Sequence, residues 1–193
     1  MDPSPPNWNV TLPPATTGTG AVTPPENTSC PALSTSPSAA SWLASHATDA
    51  AGWPITAAPA ATDVIFGAVD VLDSRYEGFK FTLTDVVADN ASAGGFYLGP
   101  VTRKPSEIED LRLIGCVVRV GGEVIMTAAS AAVMGHPAAS VAWLANQLAA
   151  QGEGLKAGQL IFSGGVTAPV PVAAGGSVTF EFAGLGSIEV AGE

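Results

Sequence analysis

The feature that most constrains this chain is a break in its character near Ala57. Ahead of that point there is no lysine or arginine; the first basic residue is Arg75. Ten prolines fall between Pro3 and Pro54, mixed with Thr, Ser, Ala and Gly, and only Asp2, Glu26 and Asp49 carry charge. No helical or strand period of useful length runs through this part. A stretch that cannot bury apolar surface cannot offset the entropy of ordering its backbone, so most of residues 1–40 are expected to be irregular or mobile. Trp8, Trp42 and Trp53 are unusual in a free tail, and some are expected to dock on the remainder of the chain. The sequence thus divides into an irregular segment, 1–48, and a folded domain, 49–193.

The second part has the means to fold. The chain has 193 residues and 47% apolar residues, enough for one domain with a core and a tail. No apolar stretch approaches the roughly 20 residues of a membrane span. The start, Met1-Asp2-Pro3-Ser4, has neither the basic nor the apolar region of a secretory signal. Asn9 and Asn27 open glycosylation-like triplets, read as chance without such a signal. The expected setting is soluble and cytoplasmic. A net charge of −10 with seven Lys and Arg argues against nucleic acid and anionic membrane as partners. Two cysteines, Cys30 and Cys116, cannot build a disulfide framework or a four-ligand zinc site; Cys116, in a strand-like run, is read as a small core residue.

Periodicity after Ala57 predicts mostly strands. Val64 to Leu72 is an apolar, β-rich run, and Phe79-Lys80-Phe81-Thr82-Leu83 alternates like a half-buried strand, with Lys80 on its solvent side. Cys116 to Val120, Gly121-Gly122 and Glu123 to Thr127 read as a hairpin with a two-residue turn. Leu160 to Ser163 is a short buried strand. Val178, Phe180 and Phe182 share one face of another, which Gly184-Leu185-Gly186 turns into Ser187 to Val190. One helix is well marked. Pro137 suits a first helical position, Val141, Leu144, Ala145 and Leu148 form a stripe, and Gly152 stops it. His136, just ahead of Pro137, reads as a cap more than as a base; His46 falls in the first segment and carries little weight.

Several polar residues sit where polarity is costly. Asp70 lies inside the apolar run 64–72, with Val69 and Val71 pointing to the other face. A carboxylate there needs a cation, whether a metal ion or a side chain such as Arg75. Asp73-Ser74-Arg75 forms a polar cluster at the strand end, read either as a turn held by an ion pair or as part of a site. Asp89, Asn90 and Ser92 read on residue type as an Asx turn. Ser163-Gly164-Gly165 reads on residue type as a tight turn.

Three segments carry a resemblance. They are Ala68 to Arg75 continuing to Phe81, Asp85 to Gly94, and Gly135 to Asn146 with Gly154 to Gly158 and Ser163 to Gly165. Together, from about Asp49 to Val190, they resemble the metal-dependent 2-keto-4-pentenoate hydratase and 4-oxalocrotonate decarboxylase branch of the fumarylacetoacetate hydrolase superfamily. The resemblance implies an α+β, β-rich fold, a mixed β-sandwich or roll with flanking helices. It implies Mg²⁺ or Mn²⁺ held by three carboxylates, with Asp70 as the third ligand. It implies catalytic roles for Asp89, Asn90 and Ser92, and contacts to substrate from Arg75, Ser163 and Gly164. The implied substrate is a small 2-oxo or 2-hydroxy-dienoic acid, whose neighbouring oxygens chelate hard cations. The leading expectation is a hydratase of aromatic-compound catabolism, with 2-oxo dioic acid decarboxylation as its sibling, in a homo-oligomer or a complex with related subunits. One departure is clear. The Glu-x-Glu pair expected to supply the other two ligands would fall near Ala39 and Ser41, which have no carboxylate. An altered paralogue serving as an inactive scaffold, a subunit borrowing carboxylates from a neighbour, and a changed reading frame each account for it.

Overall fold

The structure, a computed structural model, describes residues 34–44, as backbone, and 52–192. Trp8, Cys30, His46, Asn9, Asn27 and the boundary drawn at 48/49 lie outside the described residues, as does the side chain of Trp42.

The elements in chain order are β1 (Ser34–Ala44), α1 (Ala57–Ala60), β2 (Thr62–Leu72), α2 (Leu83–Ala88), β3 (Ala93–Arg103), β4 (Gly115–Val120), β5 (Glu123–Ala129), α3 (Pro137–Ala150), β6 (Leu160–Phe162), β7 (Val170–Pro171), β8 (Ser177–Phe182) and β9 (Gly186–Ala191). They form two antiparallel sheets. The first runs β3-β2-β1-β6, with β7 also paired to β1; the second runs β5-β4-β8-β9. This is the β-rich α+β architecture the sequence predicts.

The strongest local signals become the firmest elements. In β8, buried and half-buried residues alternate, with Val178, Phe180 and Phe182 inward. Gly121 and Gly122 turn β4 into β5 with φ of 58° and 88°, the left-handed pair a two-residue hairpin requires. Pro137 opens α3, and the imidazole Nδ1 of His136 accepts from the Ala138 N–H at 3.0 Å. The capping role read for His136 is the one observed. Cys116 is buried, and burial pushes its thiol up to about 12, so it behaves as a core residue.

The sheets pack face to face. Ile65 and Val69 of β2 join Cys116, Val118, Phe180, Phe182 and Ile188 of the second sheet in one core, flanked by Ala138, Val141 and Ala145 of α3. Gly67 sits directly on the Phe182 ring: a Cβ there would lie 2.4 Å from Cδ2. The odd-numbered residues of β2 therefore face the core, and the even-numbered residues Phe66, Ala68 and Asp70 face the other way.

Three elements differ from the sequence reading. Phe79 to Leu83 is not a strand. Gly78 and Phe79 take φ of 62° and 54°, which breaks extension, and Thr82 and Asp85 form a reciprocal capping box that starts α2. The alternation came from aromatic residues packing edge to face (Tyr76 and Phe79, each against Phe81) and not from a ladder. Lys80 is exposed, as read, but on this turn. Ser34–Ala44, within the stretch read as irregular, is a strand, because β2 supplies a long ladder that local propensity does not reveal. β3 carries three glycines and a proline, and no period marks it. Two of those glycines are needed for contact: a Cβ on Gly94 would meet the Asp73 Cβ at 2.7 Å, and one on Gly99 the Gly67 carbonyl oxygen at 3.0 Å.

One side chain of α3 ties the backbone of residues 52 and 53 to that helix. The Asn146 Oδ1 accepts from the N–H groups of Gly52 and Trp53, both at 2.7 Å, and its Nδ2 donates to the Trp53 carbonyl at 3.1 Å. Asn146→Ala leaves these backbone groups without partners. It is expected to cost about 2 kcal/mol, read as a lower urea midpoint with an unchanged slope.

Candidate functional site

Asp70 is half-buried on β2, in register with Ser36 of β1 and Phe96 of β3. On β2 itself its neighbours on that face are apolar. Phe66 and Ala68 are buried along the same strand, and Phe96 meets Phe162 of β6 edge to face, with ring centroids 5.3 Å apart. β3 and β6 are the outer strands of the sheet. Flat, they would stand three strand spacings apart, roughly 14 Å. The two rings thus lean toward each other across the intervening strands on the Asp70 side. Burial raises the Asp70 pKa, partly offset by a hydrogen bond from the Val71 backbone. Among the described residues no cationic side chain pairs with Asp70. The ion pair considered between Asp70 and Arg75 does not form, because Arg75 is engaged elsewhere.

Arg75 joins Asp89. Its Nε lies 3.0 Å from Asp89 Oδ1, in an ion pair whose carboxylate is 4% exposed, and its backbone N–H donates to Oδ2 at 3.3 Å. The Ser92 hydroxyl donates to the same Oδ2 at 3.0 Å. The Arg75 guanidinium also donates to the backbone carbonyls of Asp73 and Ala93. The Ser92 carbonyl accepts from Asp73 N–H at 2.7 Å, stitching the end of β2 to the start of β3. Between Asp89 and Ala93 the backbone is unusual: Asn90, Ala91 and Ser92 have φ of 50°, 56° and 56°. Left-handed conformation costs a non-glycine residue roughly 1–2 kcal/mol. Asn tolerates it better than Ala or Ser. The residues of the second sequence motif are thus brought together with the first, and Asn90 is left exposed at the sheet end.

Two buried polar atoms among the described residues have no partner, Asp73 Oδ1 and Ser163 Oγ. Asp73 is 3% exposed and Ser163 is 4% exposed. An unpaired buried acceptor or hydroxyl is costly in a purely structural role, so both atoms mark places where a ligand or water would be welcome. Ser163 follows β6 directly, and Gly164 takes a φ of 125° that favours glycine. Among the described residues, no hydrogen bond or ion pair links Ser163 or Gly164 to Asp70 or to the Arg75–Asp89 pair. The sequence showed Asp73 only as one member of a polar cluster; its orphaned oxygen had no signal.

Residues 47–191 match the family described as fumarylacetoacetate (FAA) hydrolase C-terminal. The chain belongs to the fumarylacetoacetate hydrolase family. A 4-oxalocrotonate decarboxylase of Pseudomonas sp. (strain CF600) is 51% identical over 129 residues, covering 67% of this chain and 48% of that protein. A 2-hydroxyhexa-2,4-dienoate hydratase of Comamonas testosteroni is 37% identical over 131 residues, covering 68% and 49%. Among solved structures, 4-oxalocrotonate decarboxylase from Pseudomonas putida G7, complexed with magnesium and adipate, superposes with a TM-score of 0.76. It is 42% identical and covers 82% of this chain and 59% of that one. The chain spans about half the length of the curated relatives it matches. Its family includes both hydratases and decarboxylases.

The described residues do not make up a metal centre. No group of three or more His, Cys, Asp or Glu side chains among them is placed to hold an ion. Asp70 stands as one candidate ligand. Ala39 and Ser41, where the resemblance would put two carboxylates, lie on β1 beside the Asp70 strand and bring none. Among the described residues no helix is long and apolar enough to cross a membrane.

Proposed function

We propose that this chain is a lyase-type domain for a short 2-oxo or 2-hydroxy-dienoic acid, with decarboxylation of a 2-oxo dioic acid as the first reading. Hydration of a 2-hydroxy-2,4-dienoate, the leading expectation from sequence, is the second. The order follows the relatives, in which decarboxylases match at 51% and a hydratase at 37%. The observation that carries the lyase reading is Asp70, a half-buried carboxylate without a cationic partner among the described residues, on the side of its sheet where Phe96 meets Phe162.

The chain's own residues suit an acidic, partly apolar ligand. Phe96 and Phe162 offer ring surface to a hydrocarbon segment, and Asn90 offers an amide at the sheet end. Asp73 Oδ1 accepts a proton donor such as a hydroxyl. A bound divalent cation would neutralise substrate charge in a protein of net charge −10. Among the described residues Asp70 stands as the one candidate ligand, so this reading needs further ligands from outside them.

The incomplete ligand set favours a second class of reading, a scaffold subunit that retains the fold without the chemistry. Calorimetric titration of the full chain with Mn²⁺, with and without pyruvate, separates the two. The lyase reading expects a Kd below about 1 mM that tightens with pyruvate and disappears in Asp70→Ala. No heat of binding at millimolar Mn²⁺ sinks it and leaves the scaffold.

A further inference from the structure

From the contacts around Asp89 we infer that Arg75 and Asp89 are positioning residues. They form a latch that holds Asn90, Ala91 and Ser92 in their left-handed run and so fixes where β3 begins. Both oxygens of the Asp89 carboxylate are spent on holding the turn. Here Oδ1 faces Arg75 Nε at 3.0 Å, and Oδ2 receives the Arg75 N–H at 3.3 Å and the Ser92 hydroxyl at 3.0 Å. The Ser92 N–H donates in turn to the Asp89 carbonyl at 2.9 Å, and the Ser92 carbonyl accepts from Asp73. Each of these anchors of the turn passes through Asp89 or its two hydrogen-bonded neighbours.

The latch matters because of what the turn precedes. Ala93 pairs with Leu72, Gly95 with Val71 and Phe96 with Asp70, with a register shift between the first two pairs. The conformation of residues 90–92 therefore sets which β3 residue stands opposite Asp70. It also leaves Asn90 exposed beyond the end of the ladder, past the Leu72–Ala93 pair. Three consecutive left-handed residues without a glycine do not persist unless the surroundings over-determine them. The buried carboxylate, anchored by a guanidinium that also grips the carbonyls of Asp73 and Ala93, supplies that over-determination. A ligand-facing role for Asn90 rests on the lyase reading; the latch itself does not, and its test needs neither metal nor substrate.

Hydrogen exchange of the full chain, followed by mass spectrometry, reads the latch directly. In Asp89→Asn and in Arg75→Gln, exchange across residues 89–96 is expected to rise about tenfold or more, while β4, β5, β8 and β9 stay within about twofold of the parent. Adding Ala91→Gly to Asp89→Asn is expected to recover about fivefold of the lost protection, because glycine adopts the left-handed region without strain. A general loss of packing would not respond to that second change. Exchange rising equally in both sheets, or no recovery on adding Ala91→Gly, overturns the latch. Should Asp89→Asn fail to fold, Ala91→Gly alone decides: slower exchange at 89–96 supports stored strain in the turn, and faster exchange refutes it.

Discussion

Phe182→Ala is expected to lower the free energy of unfolding by about 3–5 kcal/mol, the range for removing a fully enclosed aromatic ring from a core. Phe182 is 3% exposed and lies where the two sheets meet. Gly67→Ala approaches the same point from the other side. Its new Cβ would fall 2.4 Å from Cδ2, 2.8 Å from Cγ and 2.9 Å from Cε2 of that ring. A χ1 rotation that moved Cγ away would drive the enclosed ring into its core neighbours, so an overpacking cost of about 1–3 kcal/mol follows. The two changes are complementary, since the methyl group added at position 67 partly fills the space the Phe182 ring vacates. The double variant is expected to be more stable than the sum of the single effects by about 1–3 kcal/mol. Urea unfolding of the four proteins measures this; simple additivity would mean that the sheets do not meet at this pair.

Asp70→Asn is expected to act in opposite directions on stability and on binding. Burial holds the Asp70 pKa above its ordinary value in the folded chain. The folded state then binds that proton more tightly than the unfolded state does. Ionised Asp70 therefore destabilises the fold at neutral pH, and stability returns as pH falls through the raised folded value toward the ordinary carboxylate value of about 3.9. Asparagine keeps the shape and never ionises. The variant is expected to melt at a higher temperature than the parent at pH 7, with the difference shrinking as the pH approaches about 4. Mn²⁺ affinity, on the lyase reading, is expected to fall at least about tenfold. A melting temperature that drops at neutral pH would show instead that the charge is already compensated.

Much of the second sheet and its flanking helix was legible in the sequence, because each element there carries its own local signal. Gly121-Gly122 specifies a hairpin, Pro137 and Gly152 bracket a helix, and Phe180 and Phe182 alternate with Thr179 and Glu181. The first sheet was half legible. β2 announces itself, but β1 and β3 take their conformation from pairing with it, and neither propensity nor period records a partner's ladder. Thr82 and Asp85 outvoted the alternation of Phe79 and Phe81, since a capping box satisfies backbone donors that a lone strand would leave open.

The site divides the same way. Strand parity put Asp70 on the face opposite Val69 and Val71, and that is where it lies. The partner of Arg75 was not legible: sequence proximity suggested Asp70, whereas the chain folds back to bring Asp89 to it. Asn146, with its three bonds to Gly52 and Trp53, was invisible for the same reason, because its partners are more than ninety positions away.

The placement of β1 has a practical meaning for anyone who shortens this chain. Composition draws the domain border after residue 48, yet the backbone of Ser34–Ala44 stands as β1 between β2 and β6. A fragment starting at 49 would strip that strand away. It would leave the long apolar β2, whose only charges are Asp63 and Asp70, with one flank of open amides and carbonyls. Such a flank is a template for another copy of the same strand, so the shorter fragment would trade a folded sheet for self-association.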